Sequence, residues 1–435
     1  MQPINLFDFP RAIVHIDGDS FFASCEVAKD PKLKGLPVVT GLERGIVSSM
    51  SYEAKARGVK RAMRVHEVKK ICPDAVFLPS DYETYSLFSI RMYEIVRRYT
   101  PVVEEYSIDE CFADLTGLRR PLGMSYEKMA EKIKNELDCE LGITFSIGLA
   151  PTKVLAKIGS KFKKPSGLTI IKGRDIHLYL NKTPIGKVWG IGPQTSAYLN
   201  KFGIITALQF AEKEKEWVKE KLTKSHHEIW RELRGEAVFE LNPGRKSNYR
   251  SISKTKTFTP ASNDKSFILS QLSRNVENAC IKLRRYKLET KRMFFYLKTQ
   301  DFRYCGTEIK LGISTASPNQ ILRIIGDHFE KIFDSQKLFR ASGVILSDLA
   351  VQKEKQLDLF GGSVNEEKFA KIFESIDEIS KRYGKHSAFL GSSFLAMNNR
   401  QHKNERGVES ERKSKLFKGE TRRKKLGFPM LGDVS

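Results

Sequence analysis

The run Tyr-Ser-Ile-Asp-Glu-Cys-Phe at residues 106–112 places two adjacent carboxylates, Asp109 and Glu110, before a short apolar segment. An earlier apolar run, Ala-Ile-Val-His-Ile at residues 12–16, ends directly on a third carboxylate, Asp17. Each run is typical of a short buried strand that carries acid at its tip. Three carboxylates from two such tips could hold a pair of hard divalent cations. An Asp after an apolar run is, however, more often a turn or helix-capping residue.

Length and composition narrow the class of protein. A chain of 435 residues exceeds one ordinary core and predicts three or four domains. The excess of 75 Lys and Arg over 52 Asp and Glu predicts a polyanionic partner. The six cysteines include no CxxC pair, which argues against a zinc site or a disulfide framework. The absence of long apolar stretches and of a basic signal segment predicts a cytoplasmic protein with no membrane partner.

The hydrophobic pattern predicts a mixed α and β domain in the first part of the chain. Helices are expected over about 82–99, 126–137 and 151–162, and two strands are expected to flank the Asp109-Glu110 turn as a hairpin. The more polar segment 29–76 is interpreted as an insertion into this domain. Further on, a long helix is expected over about 266–288, followed by a strand.

Two groups of basic and aromatic residues could hold phosphates. Tyr52 and Lys55 are three residues apart and share one face if that segment is helical. Lys153, Lys157 and Lys161 also share one face of a predicted helix. Such a lysine ladder is usually a solvated helix surface, but its ammonium groups could instead bind phosphates as point charges.

A second region is typical of contact with nucleic acid. Gly190-Ile191-Gly192 opens a predicted helix and resembles a helix-hairpin-helix, whose glycines let backbone N–H groups reach a DNA phosphate. A plain tight turn is the simpler interpretation. The neighbouring Lys187 favours the helix-hairpin-helix instead. Residues 242–300 contain 14 Lys and Arg against 3 Asp and Glu, a surplus suited to a duplex backbone.

The order of these sites resembles that of a Y-family, translesion DNA polymerase. The resemblance extends from about Arg11 to Phe360, and it depends on five ordered motifs. The first is Asp-Gly-Asp-Ser-Phe-Phe at 17–22, and the second is Tyr-Glu-Ala-Lys at 52–55 with Gly-Val-Lys at 58–60. The third is Ser-Ile-Asp-Glu at 107–110, followed by Phe112 and Asp114-Leu115. The fourth is Ala-Pro-Thr-Lys-Val-Leu-Ala-Lys at 150–157 with Lys-Pro-Ser-Gly at 164–167, and the fifth is Val-Trp-Gly-Ile-Gly at 188–192.

The resemblance implies an α+β multidomain fold, the right-hand polymerase with a ferredoxin-like palm. The implied parts are a palm at 11–28 and 77–173, small fingers at 29–76, a helical thumb segment with a helix-hairpin-helix at 174–241, an αβ little finger at 242–350, a linker with a clamp-binding motif at 351–363, and a helix plus basic tail at 364–435. The implied activity is template-directed DNA synthesis in DNA repair, with dNTPs and primer-template DNA as substrates.

The resemblance also implies roles for individual residues. Asp17, Asp109 and Glu110, helped by the Gly18 carbonyl, would bind two Mg²⁺ ions. Phe22 would be the steric gate against a ribose 2′-OH. The other residues of the implied nucleotide site are Phe21 beneath the nucleotide, Ile46 and Ser48 over the templating pair, and Tyr52, Lys55 and Lys164 on the triphosphate. The residues implied to contact DNA are Lys187, Gly190, Gly192, Arg245, Lys246, Arg250, Lys254 and Lys256, joined by Arg284 and Arg285.

Some positions depart from the common pattern of the family. Lys55 stands where many members have Arg, so it offers a point charge in place of a bidentate grip. Arg64 stands where Pro is common, and Ala-Pro-Thr at 150–152 replaces the more usual Ser-x-Asn. Some motifs resemble the DNA polymerase IV branch and others the catalytic subunit of DNA polymerase V. The branch therefore stays open, as does the need for an activating subunit.

The segment Gln356-Leu357-Asp358-Leu359-Phe360 resembles a sliding-clamp-binding motif. Its anchors Gln356, Leu357, Leu359 and Phe360 suit a peptide that docks extended into a groove. The alternative is a final strand that packs its own leucines. The basic stretch 400–425 could touch DNA, touch another protein or do neither.

Two other functions remain open from the sequence alone. One is a restricted nucleotidyl transferase of the same family, which inserts one preferred nucleotide. The other is a non-catalytic, clamp-bound DNA scaffold. The intact carboxylate set disfavours a scaffold, because a scaffold has no need for acids that face a phosphate backbone.

Overall fold

The computed structural model describes residues 7–244, 249–351, 362–383 and 387–398. The chain divides near residue 245 into two compact units, and each is described by itself. Arg245, Lys246, the proposed clamp-binding residues 356–360 and the basic stretch 400–425 lie outside the described residues. None of the described helices is both long and apolar enough to cross a membrane.

The first unit contains two small sheets and a set of helices. Its strands are β1 Ile13–Gly18, β2 Val38–Thr40, β3 Ser49–Met50, β4 Val76–Leu78, β5 Val103–Ser107, β6 Glu110–Asp114, β7 Phe145–Ala150 and β8 Leu168–Ile170. Its helices are α1 Phe21–Lys29, α2 Tyr52–Ala56, α3 Val65–Ile71, α4 Tyr82–Arg97, α5 Arg119–Leu122, α6 Tyr126–Leu141, α7 Lys153–Phe162, α8 Ile176–Asn181, α9 Pro193–Asn200, α10 Ala207–Ala211, α11 Lys215–Lys221 and α12 Lys224–Leu233.

A five-stranded sheet of order β5-β6-β1-β7-β8 is the centre of the first unit. β1 pairs antiparallel with both β6 and β7, and every residue of β1 is buried. Alternate side chains of a strand point to opposite faces, so the sheet contributes to two cores. Val14 and Ile16 pack with α4 and α6 on one face, whereas Ile13 and Phe112 pack with α7 and the thumb segment on the other.

The predicted hairpin is confirmed, because β5 and β6 pair antiparallel. Its turn is Ile108-Asp109, and Glu110 is the first residue of β6. Helix boundaries differ slightly from those expected. The helix expected from residue 151 begins at Lys153, because the Thr152 side chain caps it by accepting a hydrogen bond from Leu155 N at 3.3 Å. The helix expected to end at 137 continues to Leu141, where Gly142 in a left-handed conformation ends it.

Residues 29–76, the predicted fingers, form a small layer with its own core. Three short strands pair in the order β3-β2-β4, with β2 antiparallel to β3 and parallel to β4. Val39, Val47, Met50 and Val68 are among its buried side chains. This layer presents helix α2, which carries the Tyr52 and Lys55 of the sequence motif.

The thumb segment is helical and is joined to helix α7 through a buried acid, Glu232 of α12. The Glu232 carboxylate accepts hydrogen bonds from Val154 N at 3.1 Å, Val238 N at 2.7 Å and Phe239 N at 2.8 Å. It therefore satisfies a free N–H group at the start of α7 and suits the positive end of that helix. The thumb segment is thereby fixed against the helix that follows β7.

The second unit is a four-stranded antiparallel sheet with helices packed on one face. Its strands are β9 Ser251–Ser262, β10 Leu288–Thr299, β11 Tyr304–Thr315 and β12 Phe339–Val351, in the order β11-β10-β12-β9. Its helices are α13 Lys265–Arg285, α14 Pro318–Phe329, α15 Gly362–Tyr383 and α16 Phe394–Asn398.

The long helix expected over 266–288 is confirmed as α13, although it ends at Arg285. α15 packs on it through buried Phe373 and through Asp377, which pairs with Arg284 at 2.7 and 2.8 Å.

The close approach of β7 to α7 depends on a glycine. A Cβ atom added to Gly148 would lie 2.0 Å from Ala156 O and 2.4 Å from Ser160 N. We expect Gly148→Ala to destabilise the protein by about 1–3 kcal/mol, because α7 would have to move away from the sheet. Urea unfolding of the variant measures this change.

Gly192→Ala is the matched control for this prediction. Its backbone φ is −79°, and an added Cβ there meets no heavy atom within 4 Å in the part of the chain that the structure describes. Equal stability of the two alanine variants would contradict the close-packing explanation.

Candidate active site

The pairing of β1 with β6 brings the three predicted acids together. Asp17 stands opposite Glu110 in the register of the two strands. The Gly18 N–H donates to the Asp109 carbonyl at 2.9 Å, so the turn that carries Asp109 is bound to the tip of β1. The two acidic strand tips predicted from sequence are therefore neighbours at one edge of the sheet.

Asp17 is nearly buried, with 7% of its surface exposed. Burial raises the pKa of its carboxyl from 3.8 to about 6, although the Lys164 ammonium acts in the opposite direction. Lys164 forms an ion pair with Asp17 and lies 3.6 Å from an oxygen of Asp19. Lys164, predicted to hold a triphosphate, thus lies directly at the acidic cluster.

Glu110 is held by a different cation. The Lys157 ammonium donates to Glu110 Oε2 at 2.7 Å, and the ring of His15 lies 3.8 Å from the same oxygen. Burial alone would raise the pKa of Glu110, but its contacts with His15 and Lys157 hold that pKa well below its usual range. Burial lowers the pKa of His15 to about 4, so the His15 ring carries no charge at neutral pH.

The interpretation of the lysine ladder as a solvated surface is wrong for two of its members. Lys153 and Lys157 are each 5% exposed, and Lys153 donates to both oxygens of Glu104 at 2.9 and 2.7 Å. The reason is tertiary: the thumb segment, through Trp189, covers this face of α7. The lysines therefore pair with acids of the sheet.

Asp19, which sequence analysis leaves without a role, is an organising residue of the site. It is fully buried and accepts hydrogen bonds from Thr144 Oγ1 at 3.1 Å, Ser146 Oγ at 2.8 Å and Ser166 N at 2.7 Å. These bonds connect the end of β1 to β7 and to the loop that carries Lys164. The available sequence signal is the spacing Asp-Gly-Asp, which directs Asp17 and Asp19 to the same side of an extended chain.

Phe22 is held in place by other aromatic rings. Its ring stacks on Tyr85 with centroids 4.4 Å apart and meets the edge of Tyr82 at 5.4 Å. Tyr85 is buried and donates to Glu26 at 2.7 Å. Phe21, its neighbour, is buried at 3% exposure. Phe22 is only half-buried, so a fixed ring remains partly accessible in the first turn of α1, the helix that follows Asp17 and Asp19.

The fingers layer adds the side chains of Tyr52 and Lys55 to the same edge of the sheet. Tyr52 donates to Asp19 Oδ1 at 3.4 Å, and burial raises the pKa of this phenol. The Lys55 ammonium donates to Ser20 Oγ at 3.1 Å and lies 4.2 Å from the Tyr52 ring centroid. Burial lowers the pKa of Lys55. The predicted phosphate-binding groups are therefore gathered around the acids.

Ile46 and Ser48, the two residues predicted to cover the templating pair, lie in the fingers layer. Ser48 is half-buried, and Ile46 is 39% exposed. The backbone of Ile46 bridges to that of Arg64. Neither Ile46 nor Ser48 presents a large rigid ring, in contrast with Phe22.

The oxygen ligands of this cluster have the chemistry that a hard divalent cation prefers. Asp17 is a buried carboxylate whose pKa stays raised despite Lys164, so its charge would be stabilised by such a cation. Among the described residues, no three His, Cys, Asp or Glu side chains converge in metal-binding geometry. In this arrangement Asp17 pairs with Lys164, and Glu110 pairs with Lys157 through one oxygen, Oε2. The donor set fits a metal once the more exposed Lys164 releases Asp17.

The predicted DNA-contacting residues lie in both units. In the first unit, Lys187 is exposed, Gly190 has φ +89°, and Gly192 precedes the first turn of α9. In the second unit, Arg250 is exposed before the edge strand β9. Lys254 and Lys256 are half-buried on β9, and burial together with Lys282 and Arg285 lowers the pKa of Lys254.

Comparison with known protein families gives three matches in order along the chain. Residues 16–161 match the impB/mucB/samB family, and residues 249–359 match the C-terminal domain of that family. Residues 174–204 match the HHH motif of the IMS family.

Curated relatives match over most of their length. DNA polymerase IV 1 of Bacillus subtilis is 33% identical over 382 residues, which is 86% of this chain and 91% of the relative. DNA polymerase IV of Streptococcus pyogenes serotype M1 is 32% identical over 350 residues, which is 79% of this chain and 95% of the relative.

Solved structures share the fold. A Y-family DNA polymerase chimera of Dbh and Dpo4 has a TM-score of 0.67 at 24% identity and covers 78% of this chain and 99% of its own. The insertion ternary complex of Dbh DNA polymerase has a TM-score of 0.53 at the same identity and coverage. The family motifs, the curated relatives and the ordered sites agree, and the chain therefore belongs to the Y-family of DNA polymerases.

Proposed function

We propose that this polymerase joins a dNTP to a primer 3′-OH with Asp17, Asp109 and Glu110 as ligands of two Mg²⁺ ions. The observation that carries the proposal is the β1–β6 register, which sets Asp17 opposite Glu110 and binds Gly18 N to Asp109 O. Family membership supports a metal-dependent nucleotidyl transferase, and the ligand chemistry supports Mg²⁺. When bound, such a metal pair would favour the ionised primer hydroxyl and neutralise the leaving pyrophosphate.

The protein residues around the acids would bind and orient the nucleotide. Lys164 and Lys55 would meet the triphosphate as point charges, and Tyr52 would donate a hydrogen bond from its neutral phenol. Phe21 would pack beneath the nucleotide. Phe22 would present its ring to the sugar, because stacking on Tyr85 prevents it from moving aside. Ile46 and Ser48 would cover the templating pair.

Contacts with DNA would be electrostatic and independent of sequence. The thumb segment would contribute Lys187 and the backbone N–H groups of the turn at 190–192. The little finger would contribute its basic residues, Arg245, Lys246, Arg250, Lys254, Lys256, Arg284 and Arg285. Affinity for primer-template DNA would then fall steeply with salt. Arg284 already pairs with Asp377, so its contribution would be smaller than that of an exposed arginine.

Two partner proteins and a location complete the proposal. A sliding clamp would bind the extended motif Gln356, Leu357, Leu359 and Phe360, whose three apolar anchors suit a groove. An activating subunit is a further candidate partner. The dispersed cysteines favour a reducing, cytoplasmic location.

Primer extension tests the assignment of the metal ligands. We expect Asp109→Asn and Glu110→Gln each to slow single-nucleotide insertion by at least about 100-fold. Loss of an outer-shell partner alone typically costs 10–100-fold, and these residues are placed closer to the metal. Glu105→Gln, an exposed change on β5, is the matched control and should keep the normal rate. Insertion that survives in both acid variants would remove the ligand roles.

Sugar selection tests the gate. We expect Phe22→Ala to raise ribonucleotide insertion relative to deoxyribonucleotide insertion by at least about tenfold, because the ring no longer excludes a 2′-OH. The measurement is the ratio of kcat/KM for each rNTP and its dNTP. Insertion of dNTPs by the same variant is the internal control, and an unchanged ratio would assign the gate to another residue.

The raised pKa of Asp17 predicts a dependence of stability on pH. A carboxyl with a pKa of about 6 when folded and 3.8 when unfolded binds its proton more tightly in the folded state. Its contribution to stability is therefore lost as pH rises from about 4 to about 6. In metal-free buffer, Asp17→Asn should become progressively more stable relative to the unmodified protein across this window, and the difference should level off above it.

Asp114→Asn is the matched control, and its pH dependence has the opposite sign. Burial would raise the pKa of Asp114, but hydrogen bonds from Arg11 and Thr116 lower it overall. Its contribution is therefore present above about 3.8 and lost as pH falls. Urea unfolding between about pH 2 and about pH 8 measures both variants, because the change at Asp114 falls below about pH 3.8. A constant difference between Asp17→Asn and the unmodified protein would contradict the raised pKa.

A further inference from the structure

Lys157 is a buried cation with three distinct neighbours. Its ammonium donates to Glu110 Oε2 at 2.7 Å. The same nitrogen lies 4.3 Å from the ring centroid of Tyr106 and 5.3 Å from that of Trp189. The attraction of a cation to aromatic faces strengthens when water is excluded, and the Lys157 side chain is only 6% exposed. The ammonium is therefore held between one carboxylate and two aromatic rings.

Trp189 belongs to the thumb segment, although it contacts the sheet. Its Nε1–H donates to the Tyr106 hydroxyl at 3.1 Å, and its ring meets Tyr106 edge-on with centroids 5.5 Å apart. It also lies 5.9 Å from the ring of Phe112 on β6. Trp189 directly precedes Gly190, the first residue of the turn proposed to contact DNA. One residue thus connects that turn with the strand that carries Glu110.

The surroundings keep this arrangement rigid. Lys153, one turn earlier in α7, pairs with Glu104, whose Oε2 also accepts from Asn242 N at 2.9 Å. Glu232 of the thumb segment binds the first turn of α7 through Val154 N. A movement of the thumb segment against the sheet would therefore disturb Lys157 and its neighbours together.

We propose that Lys157 is a positioning residue for Glu110, and that Trp189 holds Lys157 in place, so that the thumb segment controls the geometry of a metal ligand. The Lys157 ammonium donates a hydrogen bond to Glu110 Oε2 and thereby fixes the orientation of the carboxylate. The rings of Tyr106 and Trp189 prevent the ammonium from turning towards solvent. This inference depends on the proposed function in one respect, since it requires Glu110 to be a metal ligand.

A purely structural ion pair would behave differently from a positioning pair. Loss of a structural pair lowers stability and leaves the affinity of the remaining site for metal unchanged. Loss of a positioning partner weakens metal affinity, typically by 10–100-fold, even in protein that remains folded. Metal binding, measured apart from activity, therefore distinguishes the two roles.

The test measures Mn²⁺ binding by electron paramagnetic resonance. The sample is the full chain with a dideoxy-terminated primer-template and the correct dNTP, so that no turnover occurs. We expect Lys157→Met to weaken Mn²⁺ binding by about 10–100-fold. Lys157→Arg should recover part of the loss, because it keeps the charge. Unchanged Mn²⁺ affinity in folded Lys157→Met protein would overturn the positioning role.

The contribution of the thumb segment is tested separately at Trp189. We expect Trp189→Leu to weaken Mn²⁺ binding in the same direction but by less than Lys157→Met, and the double variant to lose less than the product of the two effects. Such non-additivity is expected when two residues act through one contact. Full additivity, or normal Mn²⁺ affinity in Trp189→Leu, would overturn the coupling of the thumb segment to Glu110. Trp217→Leu, another tryptophan of the thumb segment, is the matched control.

Two milder variants keep the test valid if the larger changes unfold the protein. Trp189→Phe and Tyr106→Phe remove the same hydrogen bond from its two ends. They should produce small losses in Mn²⁺ affinity that do not fully add, with the larger loss in Trp189→Phe, which also shrinks the ring beside Lys157. Fully independent losses would count against the network. Glu110→Gln separates the two hypotheses: normal Mn²⁺ affinity in that variant would refute the ligand role of Glu110 itself, whatever the result at Lys157.

Discussion

The antiparallel register of β1 and β6 is the constraint on which the candidate active site depends. Both strands are largely buried, and a shift by one residue would turn their apolar side chains to the wrong faces of the sheet. The register is therefore fixed by the cores on the two faces. Because it is fixed, Asp17 must stand opposite Glu110, and the turn with Asp109 must meet Gly18. Packing of apolar residues thus decides where the charges lie.

Acids placed together at the edge of a buried sheet require compensating cations. Lys164 and Lys157 supply them, and both belong to α7 or to the loop after it. The close contact of Gly148 with α7 and the hydrogen bonds of Asp19 bring this helix and loop to the sheet edge. The two cations differ in exposure, because the side chain of Lys164 is 27% exposed and that of Lys157 is 6% exposed. The more exposed Lys164 would therefore be the better placed of the two to turn towards a phosphate in the proposed function.

Much of this site was predictable from the sequence, because its main signals are local. A carboxylate at the end of an apolar run indicates a strand tip, and the hairpin around Asp109-Glu110 follows from the flanking apolar residues. The burial of Lys153 and Lys157 was not predictable in this way. A helical ladder of lysines has the same pattern whether water or another segment covers it, and here Trp189 covers it. The role of Asp19 was missed for the same reason, since its partners Thr144 and Ser166 are remote in sequence.

The aromatic residues divide the site into a rigid part and a more permissive part. Phe22 stacks on Tyr85, and Tyr85 is anchored by its bond to Glu26, so the ring can resist displacement by a sugar. Ser48 is half-buried, Ile46 is 39% exposed, and neither side chain carries a ring. In the proposed function, this site would discriminate strictly against a ribose at the fixed ring of Phe22 and would tolerate variation where the smaller Ile46 and Ser48 meet the templating pair. Such a difference would let the template side of the site accept the altered bases that translesion synthesis must copy.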